Sequence, residues 1–349
     1  MVTTDSSADA PKTLGGGDPD APKTLGGDDP DVPDTLGAVG ESAALARIFP
    51  RLPESTSTIL GPGDDAAVIA APDGRFVVTT DMMIHGPDFR LAWSTPFDLG
   101  WKAAASNLSD VAAMGAVPTA LVVALAAPAD SPVSLLEGIA DGLREACAVL
   151  APGCGVVGGD LSVSDTLTIA VTAFGDLEGR EPVTRSGARP GDIVAVAGVL
   201  GAAAAGLRML FDEAVVDGEP SASLAAPMRG WAEVEAQLAP RPPIALGVVA
   251  ALAGASAMID LSDGLALDAR RIASASGVAI DLLSEAVGNR EALDGGEDHS
   301  LLATFPAEMP EGFRAIGVVT PGSGLLVDGK PYDQRGGWDP YEDWNGQAG

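Results

Sequence analysis

The sequence predicts a mixed fold of helices and strands, in either the α/β or the α+β arrangement, made of two domains. Segments with apolar residues at every third or fourth position, as in helices, alternate with short apolar runs typical of buried strands. The 349 residues suffice for two domains of roughly 150 residues each, and 46 % of them are hydrophobic, enough for a large core. Glycine and proline residues between 180 and 192 favour a boundary there, so we expect an N-terminal domain at 38–184 and a C-terminal domain at 185–345.

In the N-terminal domain, the spacing of apolar residues predicts three helices and five strands. Short apolar runs bounded by turn residues indicate the strands, and a repeat of three to four residues indicates the helices. The predicted helices cover residues 42–49, 97–115 and 135–146, and the predicted strands cover 68–70, 76–80, 121–126, 156–157 and 167–174.

In the C-terminal domain, a turn at 189–192 leads into the first apolar strand. Helices and strands then continue to alternate, and Gly277 ends one of the helices. The predicted strands cover 193–197, 258–261, 280–283 and 301–305, and the predicted helices cover 202–210 and 265–275.

The first 37 residues differ in composition from the rest of the chain. A repeated unit starts at Asp9, Asp20 and Asp31, and the segment contains eight Asp and two Lys. Each unit offers one leucine among prolines and glycines, too little apolar surface to offset the entropy lost on ordering. We therefore expect residues 1–37 to form a disordered acidic tail.

The chain is strongly acidic, with 20 Lys and Arg against 49 Asp and Glu and a net charge of −29. This charge argues against nucleic acid or an anionic membrane as a partner, because both normally require a basic surface.

Cys147 and Cys154 are too few for a disulfide framework or a zinc site. Since no apolar run is long enough for a membrane span and the N-terminus lacks a signal-peptide pattern, we expect a cytoplasmic location.

Three common catalytic motifs do not fit this chain. Residues 153–158 match G-x-G-x-x-G, but they follow a helix and run into a strand, whereas a dinucleotide site needs a strand followed by a helix. None of the four lysines stands in a Walker A motif. His85 and His299 are the two histidines, and neither accompanies a nucleophile elbow, which argues against a serine hydrolase.

Several aspartates stand at the ends of apolar elements or inside an apolar helix, where a solvated charge is unusual. Any one of them could be a turn former or a helix cap, but their occurrence at five separate elements favours ligands. Mg²⁺ prefers carboxylate and phosphate oxygens, and α/β folds place ligands at strand ends, so we expect several Mg²⁺ ions around a polyphosphate. These aspartates are Asp65, Asp81, Asp110, Asp160, Asp260 and Asp263.

Arg185 is a candidate partner for such a phosphate, in a chain with few cations. A guanidinium can bind phosphate oxygens with two hydrogen bonds and stabilise charge that develops during phosphoryl transfer. A salt bridge to a neighbouring aspartate is the alternative.

Taken together, these motifs resemble the thiamine-monophosphate kinase family, which is related to aminoimidazole ribonucleotide synthetase and selenophosphate synthetase. The similarity extends over about residues 38–344, with the motifs in the order found in the family. The matching stretches are 63–67 (Gly-Asp-Asp-Ala-Ala), 79–82 (Thr-Thr-Asp-Met), 107–115 (Asn-Leu-Ser-Asp-Val-Ala-Ala-Met-Gly), 158–160 (Gly-Gly-Asp), 185–192 (Arg-Ser-Gly-Ala-Arg-Pro-Gly-Asp), 260–264 (Asp-Leu-Ser-Asp-Gly) and 295–298 (Gly-Gly-Glu-Asp).

The resemblance implies ATP-dependent phosphorylation of thiamine phosphate to thiamine diphosphate, by direct in-line transfer assisted by magnesium. It also implies an aminoimidazole ribonucleotide synthetase-like fold that pairs through its N-terminal domain in a homodimer. The catalytic residues would be Asp110, Asp160, Arg185 and Asp263. The implied magnesium ligands are Asp65, Thr79, Thr80, Asp81, Asp110, Asp160, Asp260 and Asp263, and the implied ATP contacts are Gly159, Asp160, Arg185 and Ser262.

The resemblance places the substrate at Glu297, whose carboxylate suits the cationic thiazolium and the aminopyrimidine, and at Tyr341, which would stack on it. Trp338 and Trp344 are the other aromatic candidates. Asp88 stands where the family often has a histidine that contacts substrate. Two alternatives are an aminoimidazole ribonucleotide synthetase-like enzyme and a non-catalytic nucleotide-binding scaffold, whereas selenophosphate synthetase would need a reactive cysteine before Cys147.

Overall fold

Two β-sheets organise the residues that the computed structural model describes, 33–62 and 66–337. Four strands between residues 77 and 176 form the first sheet, and seven strands between 193 and 331 form the second. The change of sheet falls in the region where the sequence predicts a domain boundary. The division at residues 184 and 185 stays a prediction, because the chain from Asp34 onward clusters as one compact unit.

In its described residues, the first half of the chain contains four helices and six strands. A 3-10 turn at Phe49–Arg51 follows the second helix. The helices are α1 (Leu36–Val39), α2 (Glu41–Ile48), α3 (Pro96–Ala113) and α4 (Val133–Leu150), and the strands are β1 (Thr58–Leu60), β2 (Val68–Ile69), β3 (Val77–Ile84), β4 (Val117–Ala127), β5 (Gly155–Val163) and β6 (Thr168–Asp176).

The four-stranded sheet has the order β3-β6-β4-β5, and β1 pairs with β2 in a separate ribbon. β6 is antiparallel to both of its neighbours, whereas β5 is parallel to β4 because α4 connects them. α3 packs on one face of this sheet and against α4. The opposite face carries exposed apolar side chains, of which Val78 is 55 % and Met82 57 % exposed.

α3 begins at a capping box formed by Thr95 and Asp98. The Asp98 backbone N–H donates to Thr95 Oγ1 (3.2 Å), and the Thr95 N–H donates to Asp98 Oδ2 (2.7 Å). Glycine allows α3 and α4 to approach closely, because a Cβ atom on Gly100 would lie 1.9 Å from the Ile139 carbonyl oxygen. Almost all of α3 is buried, since it also contacts the second sheet.

The second half of the chain contains seven further helices and nine strands in the described residues. The helices are α5 (Ala202–Glu213), α6 (Ala222–Ala225), α7 (Ala232–Leu238), α8 (Ala245–Leu252), α9 (Leu265–Ser276), α10 (Ser284–Val287) and α11 (Arg290–Asp294), with a 3-10 turn at Ala226–Met228. The strands are β7 (Ile193–Ala197), β8 (Val215–Val216), β9 (Glu219–Pro220), β10 (Ala257–Leu261), β11 (Ala279–Leu282), β12 (Ser300–Phe305), β13 (Arg314–Thr320), β14 (Gly324–Val327) and β15 (Lys330–Pro331).

The seven-stranded sheet has the order β10-β12-β7-β13-β11-β14-β15, and β8 pairs only with β9. Its pairs are antiparallel except for β11 and β14, which run parallel. Every residue of β10 and β12 is buried, because α3 and α8 pack nearby on one side and α9 contacts β10. None of the helices in residues 33–62 and 66–337 is long and apolar enough to cross a bilayer.

The structure confirms the mixed α/β class and corrects the extent of two strands that carry predicted ligands. The sequence places Asp81 and Asp160 at strand ends, but both lie inside longer strands, β3 and β5. β3 continues through Asp81 because it pairs with β6 as far as Ile84, and Asn107 Oδ1 accepts a hydrogen bond from the Asp81 N–H (3.1 Å).

The boundary of the acidic tail also needs correction. Residues 1–32 lie outside the described residues, but 34–37, which the sequence assigns to the tail, belong to the fold. Asp34 forms an ion pair with Arg47 (2.6 Å), and the Leu36 N–H donates to the Ser131 carbonyl (2.9 Å). The degenerate third repeat therefore ends in a segment that packs on the domain.

Candidate active site

β3 and α3 bring three predicted magnesium ligands together. Thr79 Oγ1 donates a hydrogen bond to Asp110 Oδ2 (2.8 Å), and the backbone of Asp81 is held by Asn107, one turn before Asp110 on α3. Thr79 and Asp81 are two positions apart on a strand, so they share the face toward α3. Thr80 lies on the other face, where its hydroxyl accepts from Thr172 Oγ1 (3.2 Å).

Asp260 joins this group from the second sheet. Its side chain is buried on β10 (3 % exposed), and Ser109 Oγ donates to Asp260 Oδ2 (3.2 Å). His299 Nδ1 lies 3.4 Å from Ser109 Oγ and 3.5 Å from Asp260 Oδ2. Ser109 precedes Asp110 on α3, so the buried polar group around Asp260 lies beside the ligand candidates of the first sheet.

The carboxylates of this group repel one another. Burial, together with the charges of Asp260 and Asp81, raises the pKa of Asp110 to about 7. Partial burial also raises the pKa of Asp81, with further contributions from the charges of Asp260, Glu297 and Asp263. A cation bound among these oxygens would relieve the repulsion, which is the electrostatic pattern of a functional site.

The turn after β10 holds Asp263 in place. Asp263 Oδ2 pairs with Arg271 (2.6 Å), and Arg271 also pairs with the buried Asp268 (2.5 Å). Asp268 Oδ2 accepts from the Gly264 N–H (3.2 Å) and the Asp263 N–H (3.3 Å), and burial raises its pKa to about 7. Ser262, a predicted ATP contact, lies in the same turn and accepts a backbone hydrogen bond from the Glu297 N–H (2.8 Å).

The segment from 295 to 299 positions Glu297 in a strained backbone conformation. Glu297 and His299 have φ angles of 71° and 51°, a region that residues other than glycine seldom adopt. Between them, Asp298 accepts from the N–H groups of Gly201 (2.5 Å) and Ala203 (2.9 Å) at the start of α5. Asp298 thus anchors the segment to the start of α5, and its neighbours Glu297 and His299 point away from that helix.

Asp88 and Glu297, the two predicted substrate contacts that the structure describes, are close enough to interact. Asp88 Oδ2 accepts from the Ile84 N–H (2.7 Å). Burial raises the pKa of Asp88, the Glu297 charge raises it further, and the Lys102 ammonium lowers it. Lys102, which sequence reasoning missed, forms an ion pair with Glu297 Oε2.

Gly159 and Asp160 lie apart from this group. The register Asp160–Ala124–Ala170–Met82 runs across the whole sheet and places Asp160 on the exposed face, about 14 Å from β3 at the usual strand spacing. The structure therefore separates Thr80 and Asp160 from the other predicted ligands. Gly159 and Asp160 are among the residues around a mainly apolar cavity of about 420 Å³ at the β5 side of the sheet, to which α2 and α4 also contribute.

Arg185 is not brought together with the carboxylates around Asp260. Its side chain is exposed, and its carbonyl oxygen accepts from Ser276 Oγ (3.1 Å) at the C-terminal end of α9. Asp263 precedes the opposite end of this 12-residue helix, about 18 Å away along the axis. The roles predicted for Asp160 and Arg185 in catalysis and ATP binding stay predictions, as does the role of Ser262. Asp65, Tyr341, Trp338 and Trp344 lie outside the described residues.

The donor set suits magnesium better than a softer metal. Across 33–62 and 66–337, no three Asp, Glu, His or Cys side chains form a ready-made metal centre. Mg²⁺ does not require one, because it usually takes one or two carboxylates and fills its shell with water and substrate phosphates. The crowded oxygens of Asp81, Asp110, Asp260 and Thr79 fit that mode of binding.

Three contributors to the site were not among the residues predicted from the sequence. Ser109, Asp268 and Lys102 act through partners that are distant in the chain or hidden in the fold. Asp268 is the exception in part, because an acidic residue in the first turn of a helix is a familiar interaction with backbone N–H groups.

Comparison with known proteins decides the family. Residues 63–177 match the family model described as AIR synthase related protein, N-terminal domain. The thiamine-monophosphate kinase of Mycobacterium tuberculosis is 42 % identical over 329 residues, which cover 89 % of this chain and 94 % of that protein. The chain belongs to the thiamine-monophosphate kinase family. The resemblance predicted from the sequence is thereby confirmed.

Solved structures of the thiamine-monophosphate kinase family share the fold. The thiamine-monophosphate kinase of Stenotrophomonas maltophilia is 30 % identical, with a TM-score of 0.68 over 83 % of this chain and 96 % of that one. AaThiL complexed with AMPPCP and TMP is 34 % identical, with a TM-score of 0.67 over 86 % of this chain and 96 % of that one. The predicted fold is therefore confirmed at the level of the family.

Proposed function

We propose that the protein is a thiamine-monophosphate kinase, which transfers the γ-phosphoryl group of ATP to thiamine phosphate and forms thiamine diphosphate. The observation that carries the proposal is family membership at 42 % identity over 89 % of the chain. The complex of AaThiL with AMPPCP, an ATP analogue, and TMP supports the same pair of substrates. The crowded carboxylates of Asp81, Asp110 and Asp260 supply the site at which the chemistry would occur.

Several magnesium ions complete this proposal. Asp81, Asp110, Asp260 and Asp263, with Thr79, would hold them on the face of β3 toward α3, while Asp65, Thr80 and Asp160 are further ligands by motif. When bound, magnesium would neutralise phosphate charge and so allow two anions to react. Binding at Asp110 would release the proton that a pKa of about 7 keeps partly bound at neutral pH.

The protein's own residues mainly position the reactants. The phosphate oxygen of thiamine phosphate is already deprotonated near neutral pH, so the attack on the γ-phosphorus needs no general base. Asp88 and Glu297 would attract the cationic end of the substrate. Orienting the acceptor in line with the leaving group lowers the barrier, because the reaction then resembles an intramolecular step.

The cavity beside Gly159 and Asp160 is our candidate for the nucleoside part of ATP. Its 420 Å³ lies within the range of small-molecule sites, its walls are mostly apolar, and glycines at 158 and 159 leave backbone accessible at its edge. Arg185 would contact the phosphates, as the motif implies.

We also propose that the protein is a homodimer formed through the exposed face of the four-stranded sheet. Val78 and Met82 leave apolar area there. A second copy of the same sheet would cover this area. Light scattering on the full chain tests this, since a monomer at working concentration would contradict it.

The two cysteines, Cys147 and Cys154, are buried free thiols. Free thiols are maintained in a reducing compartment, which supports a cytoplasmic location.

The decisive experiment measures product directly. The purified full chain, supplied with ATP, thiamine phosphate and MgCl₂, should form thiamine diphosphate and ADP in equal amounts, and EDTA should abolish both. ATP hydrolysis without thiamine diphosphate would favour an aminoimidazole ribonucleotide synthetase-like enzyme. Nucleotide binding without turnover would favour a non-catalytic scaffold.

A further inference from the structure

Lys102 is a buried cation in the middle of the otherwise largely apolar α3. Its exposure is 5 %, whereas Lys330, the other lysine in the described residues, is exposed. Taking an ammonium group out of water is costly, and a buried ion pair often contributes little net stability. A lysine at this position therefore calls for an explanation other than stability.

Two acceptors hold the Lys102 ammonium. Glu297 Oε2 forms the ion pair, and the Gln237 amide, oriented to satisfy its neighbours, places its oxygen 3.2 Å from Lys102 Nζ and its nitrogen 3.0 Å from the Ala203 carbonyl. Gln237 is itself buried (7 % exposed). The ammonium is thus fixed from the side of α5 and α7 and directed toward the segment that carries Glu297.

The side chain of Glu297 has one buried oxygen, which contacts Lys102, and other atoms that are accessible to solvent. Its Oε2 atom is buried, although the side chain as a whole is 38 % exposed, so the accessible area belongs to the other atoms. Its backbone is held in the left-handed region and bonded to Ser262. Both the main chain and one carboxylate oxygen are therefore fixed, which leaves the remaining side-chain atoms accessible to a ligand.

Asp88 and Glu297 provide two carboxyl groups for the single ammonium group of Lys102. This excess of acidic groups suits a cationic ligand such as the thiazolium ring of thiamine phosphate. α3 also separates the two ends of the substrate, because Lys102 and Asp110 are two turns apart, about 12 Å along the helix. A substrate with its cation at one end and its phosphate at the other fits this arrangement.

We propose that Lys102 is a positioning residue for the cationic end of thiamine phosphate, holding Glu297 so that its accessible oxygen meets the substrate. This inference rests on the proposed kinase function. Lys102 does not contact the reacting phosphates; it acts through Glu297. Its removal would leave the Glu297 carboxylate without a partner and free to turn away from the substrate.

Steady-state kinetics on the full chain test the proposal with a matched pair of variants. Lys102→Met should raise the KM for thiamine phosphate about 10-fold or more and leave the KM for ATP within about 2-fold. Arg229→Met is the control, because it also removes a cation from a buried partner on α3, Asp98 (2.8 Å), but outside the site. The control should lower the melting temperature without changing the KM for thiamine phosphate selectively.

A double-mutant cycle with Glu297→Gln separates positioning from a general structural role. If Lys102 acts through Glu297, adding Lys102→Met to Glu297→Gln should raise the KM for thiamine phosphate by less than about 2-fold. Effects that multiply, or KM values for both substrates that rise together, would overturn the proposal.

Two results keep the test decisive. If Lys102→Met does not fold, Gln237→Met removes only one acceptor of the ammonium and should raise the same KM about 3-fold, and an unchanged KM would refute the role. If the unaltered chain forms no thiamine diphosphate, the kinase function itself has failed. Calorimetric binding of thiamine phosphate to the unaltered chain and to Lys102→Met then tests Lys102 separately, with equal affinities counting against it.

Discussion

Replacing Asp110 with asparagine should stabilise the metal-free protein while abolishing its activity. A carboxyl whose pKa rises from 3.8 to about 7 on folding destabilises the folded state by up to about 4 kcal/mol above pH 7, at about 1.36 kcal/mol for each pH decade. The sign follows from proton binding: the folded state binds the proton more tightly, so stability falls as the pH rises from about 4 to 7. Asparagine removes this titration and keeps an oxygen that can accept from Thr79.

The assay is urea unfolding in EDTA, with the unaltered chain and Asp110→Asn compared at pH 5 and pH 8. We expect the variant to gain a few kcal/mol over the unaltered chain at pH 8, and the gain to shrink toward pH 5. Asp268, whose pKa burial also raises to about 7, is present in both proteins and cancels in the comparison. Turnover of the variant should fall by orders of magnitude, because the carboxylate that we propose as a magnesium ligand loses its charge.

Asp328 provides a control of opposite sign. Its pKa is lowered because it accepts from Ser284 Oγ (2.5 Å) and the Ser284 N–H (3.0 Å). Asp328→Asn should therefore not raise the free energy of unfolding above that of the unaltered chain at pH 8. If Asp110→Asn is no more stable than the unaltered chain at pH 8, or if its gain is the same at pH 5, the Asp110 carboxyl does not have the raised pKa that this prediction requires.

Two further predictions concern the framework. Gly100→Ala should destabilise the protein by about 3 kcal/mol, because its Cβ would lie 1.9 Å from the Ile139 carbonyl oxygen. Gly61→Ala is the control and should change stability little, because its nearest contact would be at 3.5 Å. Equal melting temperatures of the two variants would contradict this prediction. Deleting residues 1–32 should preserve both the melting temperature and turnover. Deleting residues 1–37 should lower the melting temperature, because it removes the Asp34–Arg47 ion pair and the Leu36 backbone hydrogen bond. Identical melting curves of the two deletion variants would show that residues 34–37 do not stabilise the fold.

The sequence points to a functional carboxylate most clearly where a charged residue interrupts a strongly apolar element. Asp110 in an apolar helix and Asp260 at an apolar strand both stood out. In the structure Thr79 donates to Asp110, and Ser109, the residue before Asp110, donates to Asp260, while the role of both aspartates as ligands stays a prediction. Such positions are informative because an unpaired carboxylate in an apolar element is costly unless it has a ligand or partner.

Strand length and side-chain face were beyond the sequence. The predicted strand at 156–157 stops before the glycines at 158 and 159, yet β5 continues through them to Val163 because β4 pairs with it along its length. Thr79 and Thr80 are adjacent in a motif, but the alternation of a strand sends them to opposite faces. β13 and β14, in a stretch for which the sequence predicts no strand, complete the second sheet through long-range pairing.

Lys102 shows a different reason for failure. A lysine in a helix is usually a solvated side chain, and nothing near it in the chain suggests otherwise. Its partners lie on α7 and in the 295–299 segment, so only the tertiary structure reveals the ion pair.

The burial of α3 on nearly every side ties catalysis to folding. A helix with almost no solvent-exposed face is not stable apart from the two sheets that enclose it. Neither half of the chain can therefore retain the site alone. Loss of turnover and loss of structure should consequently occur at the same denaturant concentration, and fragments split between the sheets should recover activity only when they reassociate.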